Sequence, residues 1–293
     1  MNPLKVFIQS NNKQLLGAEL AKYSIIKRSK NLTEEDVVIM NCDEMETLQK
    51  NHKKKYLRNG FQYNWNKDDL QSFTLTRFLP PQLMNYQGRA LVIDPDVFAT
   101  ENFDDDFLAS LDMSQRPVFC CQEKIKGHTK YKTSVMLLDC ANLRHWDWDQ
   151  MIADIFDLKL DYRQVMDLKL EDPDRIGLLS PEWNHYDYLD ASTKLIHFTR
   201  RDTQPWKTGL KIDFFYDVPA GQLKTLVKSR LKRMIKNLSG TNIYQRNEND
   251  QQVEFFYNLL NGAIQENVIS QNFIDFNVRK KFVRQDIMEM VNK

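Results

Sequence analysis

The segment GRALVIDPDVFAT, Gly88–Thr100, decides how this chain is read. Ala90, Leu91, Val92 and Ile93 form an apolar run that ends abruptly in two carboxylates one residue apart, Asp94 and Asp96. Such a run, bounded by polar residues, reads as a buried strand. Asp94 and Asp96 then stand where the strand leaves the sheet, the edge at which open α/β sheets place their ligands. Two carboxylates there make a hard, anionic site suited to Mn²⁺ or Mg²⁺ carrying a diphosphate. The rival reading is an ordinary Asp-Pro turn. Asp-x-Asp recurs at Asp104–Asp106, Asp147–Asp149 and Asp172–Asp174, but only the copy at Asp94 follows a strand-like run.

Outward from this segment, Leu4–Gln9 reads as a first strand, and Ser10, Asn11 and Asn12 as a polar turn able to cap a helix over Gln14–Arg28. Val37–Asn41 reads as a second strand and Glu46–Arg58 as an exposed helix or loop. A helix over Leu75–Met84 is interrupted by Pro80 and Pro81, and further strands are expected at Pro117–Cys121 and Ser134–Leu138. Alternating strands and helices predict an α/β sheet covered on both faces. Beyond Pro219 the pattern becomes helical, over Gln222–Leu238, Val253–Ile269 and Val278–Val291. The expected organisation is an α/β body over 1–215 and a mostly helical extension over 216–293. The polar face of Gln222–Leu238 carries Lys224, Lys228, Arg230, Lys232, Arg233 and Lys236 and no acid. Such a helix either packs its apolar stripe on the body or makes a peripheral contact with an anionic membrane surface. Nucleic acid is disfavoured, since no aromatic residues interleave with these cations.

Composition excludes more than it selects. The 293 residues hold 41 Lys and Arg against 40 Asp and Glu, a formal charge of +1, which gives no overall basic field. The four cysteines, Cys42, Cys120, Cys121 and Cys140, show no CxxC spacing and read as buried thiols in a reducing compartment. The N-terminus runs into a strand pattern without the apolar core of a signal peptide, and no segment approaches the roughly 20 apolar residues of a membrane span. A soluble, cytoplasmic protein is the expectation, at most peripheral at the inner membrane face. The absence of GxGxxG and GxxxxGK[ST] counts against dinucleotide and P-loop chemistry.

A second informative stretch is KLIHFTRRDTQPWKTG, Lys194–Gly209. His197 follows an apolar pair, and a neutral imidazole is a reasonable third ligand for Mn²⁺ beside two carboxylates. The bland alternative is a hydrogen-bonded histidine at a strand end. Arg200, Arg201 and Lys207 could hold phosphate oxygens or be solvated surface charges. Trp206 reads as packing, with a sugar-pocket wall as its alternative. Between the two stretches, Trp183 and Asn184 follow a Ser-Pro turn and read as loop packing.

The order of these elements resembles the family 8, glycogenin-like retaining glycosyltransferases of GT-A fold, from about Leu4 to Gly209. The opening VFIQSNNKQLLGAELAKYSI, the Arg77 helix FTLTRFLPPQL, GRALVIDPD, SVMLLD, LLSPEWN and HFTRRDTQPW correspond, in order, to that family's segments. The resemblance implies a metal-dependent transferase that moves a hexose from a nucleotide-diphosphate sugar, usually a UDP-sugar, to a glycan or lipid-linked acceptor. It implies Asp94, Asp96 and His197 as ligands of Mn²⁺ or Mg²⁺, with Ser10 and Asn12 at the nucleoside and Arg77 at the donor sugar and phosphate. Gln164 falls beside the reacting face of the sugar, where its amide would stabilise an oxocarbenium-like transition state. Departures from the family pattern lie in the donor pocket. Arg163 replaces the Asp of an Asp-Gln pair, Lys132 and Ser134 replace Asn and Gly, and Gln204 replaces a phosphate-binding Lys. They keep open a second reading, a catalytically silent module that binds nucleotide-sugar or glycan.

Overall fold

The computed structural model describes residues 4–125, 127–214, 219, 227, 231, 234, 235 and 241–292. The architecture is α/β, built on a mixed six-stranded sheet. Its central strand β5 is Arg89–Ile93, in which Ala90 to Ile93 are completely buried. Strand β1, Leu4–Ser10, pairs parallel with β5 and on its other side with β2, Val37–Asn41. Across β5, β8 (His128–Asp139) runs antiparallel, followed by β7 (Val118–Ile125) and β9 (Ile176–Leu178). Alternation along each strand divides the apolar residues between two cores, one per face. Val6, Ile8, Leu91, Ile93, Val135 and Leu137 enter one core, and Phe7, Ala90, Val92, Met136 and Leu138 the other.

Helix α1, Leu15–Arg28, covers the first face and approaches the Asp94–Asp96 turn closely. A Cβ at Gly17 would stand 2.5 Å from the Pro95 carbonyl oxygen, so only glycine permits this approach. The other Asp-x-Asp segments are helix and turn caps. Asp104 accepts from Phe107 N at the start of α4 (Asp105–Ser110), and Asp147 from Gln150 N at the start of α5 (Trp148–Phe156). Asp172 accepts from Asp174 N in a short turn.

The region 46–58 departs from expectation. After one helical turn, α2 (Glu46–Gln49), a hairpin forms from β3 (Lys55–Arg58) and β4 (Phe61–Asn64), turning through Asn59 and Gly60 at positive φ. Four residues each, with Lys55 and Arg58 ending β3, are too few to show an alternating pattern. The Arg77 region is a 3-10 run, Ser72–Phe78, with α3 (Pro80–Leu83) starting on the two prolines, which fit a first turn because its N–H groups need no helical acceptor. Helix α6, Tyr162–Met166, follows α5.

At the C-terminal side lie α7 (Asp250–Gln265), α8 (Gln271–Arg279) and α9 (Ile287–Val291). Phe256, Leu260, Ala263, Ile274 and Ile287 of these helices join the same core as β1 and α1. The break between α8 and α9 interrupts the helix expected over Val278–Val291. The expected helix at Gln222–Leu238 lies mostly outside the described residues. Of its apolar stripe, Val227, Leu231, Met234 and Ile235 are described and exposed, against the expectation that the stripe packs on the body. All four cysteines are free and buried, and burial pushes the Cys42, Cys121 and Cys140 thiols up to about 12. No helix among the described residues is long and apolar enough to cross a membrane.

Candidate active site

Two strands bring the predicted ligands together. The chain leaves β5 at Asp94, whose N–H donates to the Ser134 carbonyl, and turns through Pro95 into β6 (Val97–Ala99). Strand β11, Leu195–His197, pairs antiparallel with β6 in a register that sets His197 opposite Val97, beside the carboxylate turn. One ligand atom each from Asp94, Asp96 and His197 lies within 4.8 Å of the others, and all three residues are buried.

Their environments differ. Asp94 is held in a bidentate pair by Arg77, with Nε–Oδ1 at 2.9 Å and Nη2–Oδ2 at 2.5 Å. Burial raises the Asp94 carboxyl above the ordinary carboxylate range, and the guanidinium opposes it. Arg77 is fixed in turn by Thr133 Oγ1 at 3.1 Å. Asp96 Oδ2 accepts from Gln204 Nε2 at 3.3 Å. Asp96 Oδ1 is buried without a hydrogen-bond partner among the described residues; His197 Nε2 lies 3.3 Å from it but without hydrogen-bonding geometry. A buried carboxylate oxygen left unpaired is costly, and a cation is what satisfies it.

The imidazole is set to complement that need. His197 Nδ1 lies 3.0 Å from Asn184 Oδ1, and Asn184 Nδ2 donates to Ser134 Oγ at 3.0 Å. With the amide oriented this way, Nδ1 carries the proton and the Nε2 lone pair faces the carboxylates, the tautomer a metal ligand needs. Asn184 is thus a positioning residue, although its sequence context reads as loop packing. Tyr186, in β10 (His185–Tyr186), stands edge-on to His197 at 5.1 Å and within 3.4 Å of Ser134 Oγ. Asp94, Asp96 and His197 therefore form a group able to hold a divalent metal.

These residues line a cleft of about 210 Å³ that also takes in Gln14, Thr133, Tyr162, Arg163, Met166 and Asp167. A second cavity of about 290 Å³, walled by Tyr56, Tyr63, Trp65 and Tyr162, shares Arg58, Gln71, Thr74, Tyr162 and Arg201 with it.

The remaining expected residues are distributed unevenly. Arg77 lines the cleft. Gln164 does not: it is exposed, and its Oε1 accepts from Asp161 N in the capping box that begins α6. The same turn directs Arg163 and, one turn later, Asp167 into the cleft, paired at 2.9 Å. Neither Ser10 nor Asn12 lines it. Asn11 between them donates to Asp69 O, Leu70 O and Ser72 Oγ, drawing that segment over the turn, and Asn12 accepts from Asn41. Trp206 is completely buried against Phe98, Phe198 and Phe256, far from a sugar wall in character. Lys207 is buried with its Nζ 3.7 Å from Asp213 Oδ2 and over the Tyr244 ring. Burial pushes its amine down to about 8. Gln204, read from sequence only as a lost lysine, bridges Asp96 and Gln14, the latter at 3.4 Å.

No protein-family model and no curated protein sequence matches the chain. Solved structures do. The glycosyltransferase GlyE of Streptococcus pneumoniae TIGR4 is 14% identical at a TM-score of 0.49, over 84% of this chain. The chain spans 66% of the length of GlyE. The galactosyltransferase LgtC, solved with donor and acceptor sugar analogues, is 13% identical at 0.43 over 70% of this chain and 89% of its own. Mouse xyloside xylosyltransferase 1 is 13% identical at 0.43, over 67% and 98%. These similar structures are all glycosyltransferases.

Proposed function

We propose that the chain is a metal-dependent glycosyltransferase of the family 8 type, moving a hexose from a UDP-sugar to a glycan or lipid-linked acceptor with retention. The observation that carries this reading is the pairing of an unsatisfied Asp96 oxygen with a His197 tautomer whose lone pair faces it. Asp94, Asp96 and His197 would hold Mn²⁺ or Mg²⁺, which would neutralise the charge developing on the departing diphosphate. The protein's own contribution is positioning and fixed charge. Arg77 aims the Asp94 carboxylate. Gln204 holds one Asp96 oxygen and leaves the other open. Gln14, the residue of the first turn that lines the cleft, takes the place expected of Ser10 and Asn12 beside the nucleoside. Arg163 and Asp167, in place of Gln164, face the space available to the transferred sugar.

The direct test is thermal stability with UDP, GDP and CDP, each with and without Mn²⁺. A ligand present at about a hundred times its Kd adds roughly 2.7 kcal/mol to the native state, a clear rise in Tm. A rise for one nucleotide that requires Mn²⁺ is expected; no rise with any nucleotide would sink the donor reading. A silent binding module is the second reading, favoured by the surface position of Gln164 and the neutral Gln204. Slow acceptor-free hydrolysis of a UDP-sugar belongs to the enzyme alone.

Asn184→Leu should remove the acceptor that fixes the His197 ring while keeping its bulk. Loss of such a partner typically costs about 10–100-fold in metal affinity. Titration of Mn²⁺ followed by its free-ion EPR signal would show the drop, and Asn184→Asp, which keeps an oxygen acceptor, should retain most of the affinity. Equal affinity in Asn184→Leu would remove Asn184 from the site.

A further inference from the structure

Charge in the cleft is not balanced. Six cations line it, Arg58, Arg77, Lys130, Lys132, Arg163 and Arg201, against three lining carboxylates, Asp94, Asp96 and Asp167, and a fourth, Glu123, that pairs from outside the lining. Arg77 is committed to Asp94 and Arg163 to Asp167, and Lys130 and Lys132 share Glu123 at 3.6 and 3.8 Å. A divalent ion and the sugar-esterified diphosphate of a nucleotide-sugar would bring charges that cancel each other, leaving the surplus of cations where it was. The surplus also has a direction. Side-chain exposure rises from 11% at Arg77 and 15% at Lys132 to 25% at Arg163 and 42% at Lys130, so the positive charge extends outward from the metal ligands. Lys132 is fixed there, its Nζ 3.6 Å from the Tyr186 ring centroid. A donor bound at Asp94 and Asp96 would occupy the deep end; the outer end is where a second substrate enters.

We propose that this second substrate is anionic, an acceptor glycan bearing phosphate or carboxylate groups that the outer cations of the cleft recognise. The inference rests on the transferase reading and names its acceptor class. Oxyanions on the acceptor would make charge-assisted hydrogen bonds to Arg163, Lys130 and Lys132 in a concave site, where fields are less screened than on an open surface. A neutral glycan would cover the same cations without replacing their water.

The experiment uses the full chain, calorimetry and three probes of similar length: maltotriose, trigalacturonate and a three-unit glycerol phosphate oligomer. UDP with Mn²⁺ is titrated first, and failure there defeats the donor reading whatever the oligomers do. With UDP and Mn²⁺ present, at least one anionic probe should bind about tenfold more tightly than maltotriose in 50 mM NaCl and lose most of that advantage in 200 mM. Which one does so tells phosphate from carboxylate. Lys130→Gln, an exposed change, and Lys132→Gln should each shrink the preference at least about threefold with Tm retained. Equal binding of charged and neutral probes would overturn the proposal. So would displacement of UDP by the anionic probes, which would give the cations to the donor, or a preference untouched by both variants.

Discussion

Asp94→Ala and Asp96→Ala are expected to abolish Mn²⁺-dependent nucleotide binding alike, yet to differ sharply in stability. Asp94 is the only carboxylate among the described residues bonded to the Arg77 guanidinium, through two hydrogen bonds in a buried setting. Removing it leaves a buried charge with Thr133 Oγ1 and a weak contact to Met166 Sδ. Breaking a buried ion pair by deleting one partner costs about 3–5 kcal/mol, much more than the pair itself contributes. At roughly 2–4 °C per kcal/mol for a chain of this size class, Tm should fall by about 10 °C. Asp96 is different. One of its oxygens has no hydrogen-bond partner among the described residues and the other only a long bond from Gln204, so its loss removes an uncompensated carboxylate. Without metal, Asp96→Ala should stay within about 1 kcal/mol of the parent, since the surrounding donors lose little. With UDP and Mn²⁺ it should lose the stabilisation of roughly 2.7 kcal/mol that saturating ligand gives the parent. Thermal melts of both variants, each with and without UDP and Mn²⁺, decide the matter. A Mn²⁺-dependent rise surviving in Asp96→Ala would reject the metal site, and an Asp94→Ala as stable as the parent would reject Arg77–Asp94 as a structural anchor.

How far this site was legible depends on the range over which each residue acts. The strand Ala90–Ile93 and the turn after it announce themselves locally, because burial on both faces leaves a continuous apolar run and its end is abrupt. His197 is legible as a residue type following an apolar pair, but its pairing with Val97 is a matter of sheet register, which sequence does not print. Asn184 and Gln204 act across 13 and 108 residues, on His197 and Asp96 respectively. Nothing in their own neighbourhoods marks them; their signal is a hydrogen-bond geometry that exists only once β6 and β11 are paired. Gln164 was placed by the order of segments in the resemblance, which carries no helix phase. Neighbouring residues on a helix point about 100° apart, so Arg163 lines the cleft while Gln164, next to it, is an exposed capping residue. The β3–β4 hairpin was invisible because its strands are only four residues long, with Lys55 and Arg58 at the ends of β3, and only Tyr56 and Tyr63 reach the core beneath it.

Trp206→Ala should be as destabilising as Asp94→Ala, and its consequence should reach the carboxylates. The indole is completely buried, stacks on Phe256 at 4.9 Å with an interplanar angle of 23°, and meets Phe98 edge-on. Truncating a buried tryptophan costs about 3–5 kcal/mol through lost transfer energy and the cavity left behind. The damage is not confined to the core. Trp206 belongs to the 3-10 turn Pro205–Lys207 that α7 and the segment after α8 clamp, through Tyr257 OH to the Pro205 carbonyl and Arg284 N to the Trp206 carbonyl. Gln204, immediately before that turn, is the residue that holds Asp96 Oδ2. Trp206→Ala is therefore expected to lower Tm by roughly 10 °C and to weaken Mn²⁺ binding together. Trp206→Phe separates core packing from a direct role at a sugar. The phenyl ring keeps most of the stack and removes an indole N–H that is buried without a partner among the described residues, so Tm should fall by much less and nucleotide affinity should persist. If Trp206→Phe instead kept the parent's Tm but lost donor binding, the indole would be a wall of the sugar pocket, and the cleft would have to open toward β6 further than the structure places it.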